Sequence, residues 1–171
     1  MTRELELEAR RNKGKRLITQ LCDHLTRTLE ARIDPSALLE LDESDRLFSE
    51  YSARFRECQE QPSGCLIRRL DQGNPPFELA LANELAHALD DTVILFPSEW
   101  EYTGAVRVQA GTVLRRALHF LEVDGEEIRM MTPDGANGLL LELYTEPLPG
   151  RSTVTFRLWL WGSRWLSAMR P

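Results

Sequence analysis

Two glutamates and two large aromatic residues alternate in Pro97-Ser98-Glu99-Trp100-Glu101-Tyr102-Thr103-Gly104. Trp and Tyr are frequent interface anchors, and carboxylates suit a basic partner. The stretch leaves an apolar strand and reads as a loop, and loops at strand ends commonly carry binding sites. Glu99, Trp100, Glu101 and Tyr102 are therefore the expected partner-binding residues. The competing reading folds Trp100 or Tyr102 onto the core and leaves the glutamates in water. Two carboxylates two residues apart in one loop are a poor acid–base pair for glycoside chemistry. A second aromatic group, Trp159, Trp161 and Trp165, is either a packed face or, if exposed, a contact surface.

The other reactive residue types do not assemble into a motif. The histidines are His24, His87 and His119, all on expected helices. Glu84 and His87 have the E-x-x-H spacing of di-iron bundles, with Asp91 one turn on, but the second motif and the further glutamates are missing. No serine or cysteine stands in a nucleophile elbow, so no catalytic residue is assigned. Asp134-Gly135-Ala136-Asn137-Gly138 lacks phosphate-loop and dinucleotide spacing and reads as a hairpin turn. Cys22, Cys58 and Cys65 are odd in number and lack C-x-x-C spacing. All three are read as structural thiols, without a disulfide framework or a zinc site. No metal and no cofactor are expected.

Charge narrows the class of partner. The chain has 171 residues and a net charge of −6. Residues 1–32 hold eight basic and five acidic residues, and the rest hold thirteen basic and twenty-two acidic. An acidic body repels nucleic acid and anionic lipid and attracts basic proteins. The basic cluster Arg10, Arg11, Lys13, Lys15 and Arg16 lacks interleaved aromatics and reads as a solvated helix start. Arginine supplies nineteen of the twenty-one basic residues, a bias expected of a GC-rich bacterial genome. No apolar run is long enough to span a bilayer, and the acidic N-terminus lacks a secretory h-region. A cytoplasmic protein without membrane contact is expected.

The elements that must position these residues follow from periodicity. Ile18, Leu21, Cys22, Leu25, Leu29 and Ile33 mark a helix from Lys15 to Ile33, with residues 1–14 as a frayed, charged beginning. Asp34-Pro35 ends it and opens a short helix over Ser36–Leu41. Leu47, Phe48, Tyr51, Phe55 and Cys58 place a helix over Ser44–Cys58. Helices are also expected over Phe77–Leu89 and Gly111–Glu122, and a turn over Asp71–Pro76. Strands are expected over Cys65–Leu70, Thr92–Phe96, Gly104–Val108, Glu127–Met131, Leu139–Tyr144 and Thr153–Leu160. The first two strands either form a parallel pair with a helical crossover or an irregular connection. The fold class is α+β: one domain over residues 1–171, its helical N-terminal part packed on a mixed, mostly antiparallel sheet with a C-terminal β-meander.

In general character, with the segments Asp134–Glu142 and Arg157–Gly162, the chain resembles small immunity proteins of bacterial polymorphic toxin systems. That resemblance implies a non-enzymatic protein that neutralises a toxin by stoichiometric binding, its acidic residues covering a basic site on the toxin domain. Two other classes stay open. One is a small hydrolase or transferase using Glu99, Glu101 and a histidine in a deep pocket. The other is an acidic assembly or secretion chaperone, which needs a broad apolar face.

Overall fold

The structure is a computed structural model that describes residues 3–71, 83–87, 89, 91–125, 127–148 and 151–169; side chains at 68–71, 122, 124, 144–148 and 151–155 lie outside that description. Its first element, α1 (Arg3–Leu29), begins well before Lys15. The expected frayed start is thus ordered helix, because Arg10 and Gly14 make tertiary contacts that hold this part against the rest of the fold. The apolar stripe is as expected, with Leu21, Cys22, Leu25 and Leu29 buried. α1 stops four residues earlier than expected. Glu30 turns to a φ of 50° and its carboxylate pairs with Arg116, while the Ile33 N–H donates to the Thr26 hydroxyl at 3.0 Å.

Asp34 does cap the next element, accepting the Ser36 N–H at 2.8 Å, but that element is a single 3-10 turn over Pro35–Ala37. The expected helix to Leu41 does not form because residues 38 and 39 extend along a strand. Leu38 bridges Val106, and the Leu39 N–H donates to the Ala105 carbonyl at 2.8 Å. α2 (Leu41–Glu60) buries Leu47, Tyr51 and Cys58 on one face.

Six strands follow: β1 (Cys65–Asp71), β2 (Thr92–Leu95), β3 (Val106–Gln109), β4 (Glu127–Met131), β5 (Gly138–Leu148) and β6 (Arg151–Trp161). They form one sheet in the order β1-β6-β5-β4-β2-β3. The expected meander is β4-β5-β6. The parallel alternative is not realised: β1 pairs with β6 and β2 with β3 and β4, and every pairing is antiparallel. The sheet is therefore not mixed among the described residues. The long β5–β6 hairpin sets this outcome, since its outer strand offers β1 a seven-residue antiparallel ladder from Cys65↔Trp161 to Asp71↔Thr155.

Alternation along the strands separates two cores. Val93, Leu95, Val106, Val108, Ile128, Met130, Leu139, Leu141, Phe156, Leu158 and Leu160 meet α1 and the helices Ala110–Arg115 and Ala117–Asp124 on one face. The expected single helix there is interrupted at Arg116, the partner of Glu30. Ile94, Phe96, Met131, Trp159 and Trp161 meet α2 on the other face. Helices thus cover both sides of the sheet, which makes the fold α+β with an all-antiparallel centre. A short C-terminal helix, Ser163–Ala168, returns Trp165 to the first core.

The cysteine reading is corrected. Cys58, in the last turn of α2, and Cys65, the first residue of β1, are joined as a disulfide with their Cα atoms 5.9 Å apart. The odd count hid the pair because the third cysteine, Cys22, is a buried free thiol in the first core. The hairpin 132–138 is as expected. Asp134 accepts the Thr132 hydroxyl at 2.5 Å and the Ala136 N–H at 3.0 Å, and Gly135 sits at a φ of 69°. Most of the expected turn over 71–76, and most of the helix over 77–89, lie outside the described residues; residues 83–87 are helical. No helix among the described residues is long and apolar enough to cross a membrane.

Candidate functional site

The stretch from Glu99 to Tyr102 is not an open loop: Glu99 stands at the N-cap of a four-residue helix, Trp100–Thr103, that follows β2. Glu99 forms it: its carbonyl accepts the N–H groups of Tyr102 and Thr103 at 3.0 and 3.1 Å and the Thr103 hydroxyl at 2.9 Å. Gly104 ends it at a φ of 89°, where a side chain would also collide with the Leu39 carbonyl. Ser44 of α2 then fastens the exit, its hydroxyl accepting the Ala105 N–H at 2.9 Å while donating to the Glu40 carbonyl.

Three contacts hold this turn in place. Trp100 is 7% exposed and packs its ring 4.3 Å from that of Phe48 and 5.8 Å from that of Phe96. Trp100 is thus largely buried and anchors the turn from below, as in the competing reading of the sequence. From α1, Arg10 donates through Nε to the Glu101 carbonyl at 2.6 Å and clamps both Asp45 carboxylate oxygens at 2.8 and 2.9 Å. The hydrogen bonds to Asp45 raise the Arg10 guanidinium further above its ordinary range, so it stays charged. Gly14 is the third contact: its backbone lies so close to the Tyr102 carbonyl that any Cβ would overlap it.

The side chains that remain outward are Glu99 and Glu101, both exposed, and the half-buried Tyr102. Lys13 stands 3.5 Å above the Tyr102 ring centre, a cation–π contact. Two open clefts border the turn. One, of about 260 Å³, has a floor including Ile18, Pro35 and Leu38 and a rim with Arg11, Lys15 and Tyr102. The other, of about 370 Å³, is lined by Glu6, Arg10, Asp45, Trp100, Glu101 and Tyr102. Glu99 and Glu101 thus present negative charge on a held turn, beside Arg10 and Lys13, which are engaged with Asp45 and Tyr102.

The sequence reading therefore found the turn and missed what holds it. Arg10 and Lys13, expected to be solvated, are bound to it, and Asp45 was not singled out at all. The glycine inside α1 was the available signal, because an interior helical glycine often marks close backbone approach.

The remaining candidates stay apart. Neither cleft beside Glu101 is lined by a histidine. His24 sits ten residues beyond Gly14, roughly 15 Å further along α1. His87 and His119 are exposed on other segments. Asp91 is committed to the Trp165 indole at 2.7 Å and to Arg164 at 2.8 Å, away from a Glu84–His87 metal role. Among the described residues no three His, Cys, Asp or Glu side chains gather as metal ligands. Of the C-terminal tryptophans, Trp161 and Trp165 are buried and Trp159 is half-buried against Phe55, with its indole 3.4 Å from a Glu142 oxygen. The exposed large apolar residues among those described, Leu5, Ile67 and Val123, lie on three separate elements. Comparison with known proteins finds no family model, no curated protein and no solved structure that matches the chain.

Proposed function

We propose that this protein acts by stoichiometric binding to a basic protein partner, using the Glu99–Tyr102 turn as a preformed acidic contact. One observation carries the reading: two exposed glutamates stand on a helical turn fixed from three sides by Trp100, Arg10 and Gly14. Ordering a loop on binding subtracts from affinity, so carboxylates mounted in advance give more of their interaction to the complex. They also speed encounter with a positive surface. Immunity-type neutralisation of a toxin, in which acidic residues cover a basic site, is the specific form of this proposal and is suggested by the general resemblance in character. A cytoplasmic site of action belongs to the same proposal. The disulfide between Cys58 and Cys65 argues on the other side, since such bonds persist mainly in oxidising compartments.

The test is affinity capture from the source cells with the wild-type chain and with the double variant Glu99→Lys/Glu101→Lys, both shown to be folded by circular dichroism. The proposal expects a basic protein at one-to-one stoichiometry on the wild type and its loss from the variant. Recovery of no stoichiometric partner, or of one held equally by both, contradicts it.

A further inference from the structure

The covalent link between α2 and β1 has a chemistry of its own, independent of the acidic turn at the other end of α2. Cys58 lies on the buried face of α2, three residues from Phe55, and Cys65 opens β1 opposite Trp161. The six residues between them, including the 3-10 turn Pro62–Gly64, are all exposed. Both cysteines line an open cleft of about 370 Å³ together with Arg54, Glu57, Gln61, Gly64, Ala136, Trp161 and Gly162. Cys65 is the more open of the two, half-buried where Cys58 is 4% exposed. A disulfide meant only as a staple is usually enclosed, whereas one bordering a solvent cleft can be reached by a thiolate.

We propose that Cys58–Cys65 is a reversible thiol–disulfide exchange site whose co-reactant is a low-molecular-weight dithiol. The dithiol's thiolate attacks the Cys65 sulfur from the cleft, forming a mixed disulfide as the Cys58–Cys65 bond breaks and Cys58 leaves as a thiolate. The second thiol of the reductant, once deprotonated, then attacks its own sulfur in the mixed disulfide and displaces Cys65 as a thiolate. The reductant gives up two electrons and closes to a cyclic disulfide; the cysteine pair gains two electrons and takes up two protons. Glutathione disulfide reoxidises the pair: the Cys65 thiolate attacks it and releases one glutathione, and the Cys58 thiolate then attacks the Cys65 sulfur of the mixed disulfide and releases the second. Arg54 lines the same cleft and favours the incoming negative charge, although Glu57, 3.0 Å from it, offsets part of that effect.

Reduction leaves α2 joined to β1 by the 59–64 segment, while Tyr51 and Phe55 still pack on Trp161 of the neighbouring strand β6. The loosened parts are the last turn of α2 and the start of the edge strand β1. The Glu99 turn, which rests on Asp45 and Phe48 near the opposite end of α2, is not part of this region.

Cysteine alkylation read by mass spectrometry on the full chain provides the test, because Cys22 serves as an internal reporter of global unfolding. Burial shields Cys22 and raises its thiol pKa, so it is expected to stay unalkylated while the protein is folded. Protein purified without reductant and then denatured is expected to take one alkyl group, and three after reduction in denaturant. Folded protein treated with dithiothreitol is expected to alkylate at Cys58 and Cys65 while Cys22 stays protected, with a change in intrinsic tryptophan fluorescence that glutathione disulfide reverses. The variant Cys58→Ser/Cys65→Ser is expected to show no such fluorescence change. Three alkyl groups before any reduction would overturn the proposal. So would labelling of Cys58 and Cys65 that appears only together with Cys22, which marks a bond opened solely by unfolding. Neither result depends on whether a basic partner binds.

Discussion

Gly14 is the residue whose effect is easiest to get backwards. Alanine in place of an interior helical glycine ordinarily stabilises by about 0.5–1 kcal/mol. Here the added methyl meets the Tyr102 carbonyl, so Gly14→Ala is expected to lower stability instead, by about 1–3 kcal/mol. Urea unfolding of the two proteins reads the sign directly, and a stabilised variant would show that α1 does not touch the turn. Arg10 and Asp45 make a similar point about charge. Their side chains are 18% and 29% exposed and meet through two oxygens, so a double-mutant cycle with alanine is expected to give a coupling of about 1–2 kcal/mol. An exposed pair such as Arg46–Glu50 is expected to give much less. Neither contact was legible in the sequence. The types Arg10 and Gly14 were visible, but their partners Asp45 and Tyr102 are thirty-five and eighty-eight residues away, and a charged helix start looks solvated until its neighbour is known.

Among the elements, α2 and the 132–138 hairpin each carry a titratable group with a readable consequence. Tyr51 is 3% exposed and its hydroxyl donates to the Leu139 carbonyl at 3.3 Å, joining α2 to β5. Burial raises its pKa, so the folded state holds the neutral phenol while the unfolded chain ionises near the usual value of about 10. The stability this contributes is complete below about pH 10 and is lost as pH rises further. Tyr51→Phe is therefore expected to be destabilised by roughly 1 kcal/mol at neutral pH but to lose less stability than wild type at alkaline pH. A parallel alkaline decline in both would contradict the assignment. Asp134 works in the opposite direction: the Thr132 hydroxyl and then the Ala136 N–H hold its carboxyl below the usual range. Its contribution is present above about pH 4 and is lost as pH falls through the lowered value. Asp134→Asn is expected to flatten the acid limb of a stability–pH curve.

Element types were legible where apolar spacing was strong, as in α2 and the meander. They failed where tertiary contacts decide, as at Leu38–Leu39, which a neighbouring strand pulls out of helix, and at Arg116, where a helix breaks beside its ion pair with Glu30. On β6 the strict alternation of residue types matches the two faces, with Phe156, Leu158 and Leu160 on one and Trp159 and Trp161 on the other. What periodicity could not give was strand order, since a seven-residue strand such as β1 fits either a parallel or an antiparallel neighbour.

At the scale of the whole molecule, the length of α2 separates two tasks assigned to it on one face of the antiparallel sheet. Its beginning supports the Glu99 turn through Ser44, Asp45 and Phe48, and its end holds the cysteine link to β1. The sequence conveyed the acidic balance and the residues of the turn, because composition and local chemistry do not depend on the fold. It left open whether Trp100 packs on the core; the structure takes that competing reading, which changes the turn from an aromatic anchor into a charged one. The central claim is thus electrostatic, and the most direct test is kinetic. Association of the captured partner with the wild type and with Glu99→Gln/Glu101→Gln should be followed by stopped flow at low and high salt. Loss of the two charges is expected to slow association by about tenfold at low salt, with little difference at high salt, where exposed charges are screened. Equal association rates for the two proteins at low salt would contradict the account.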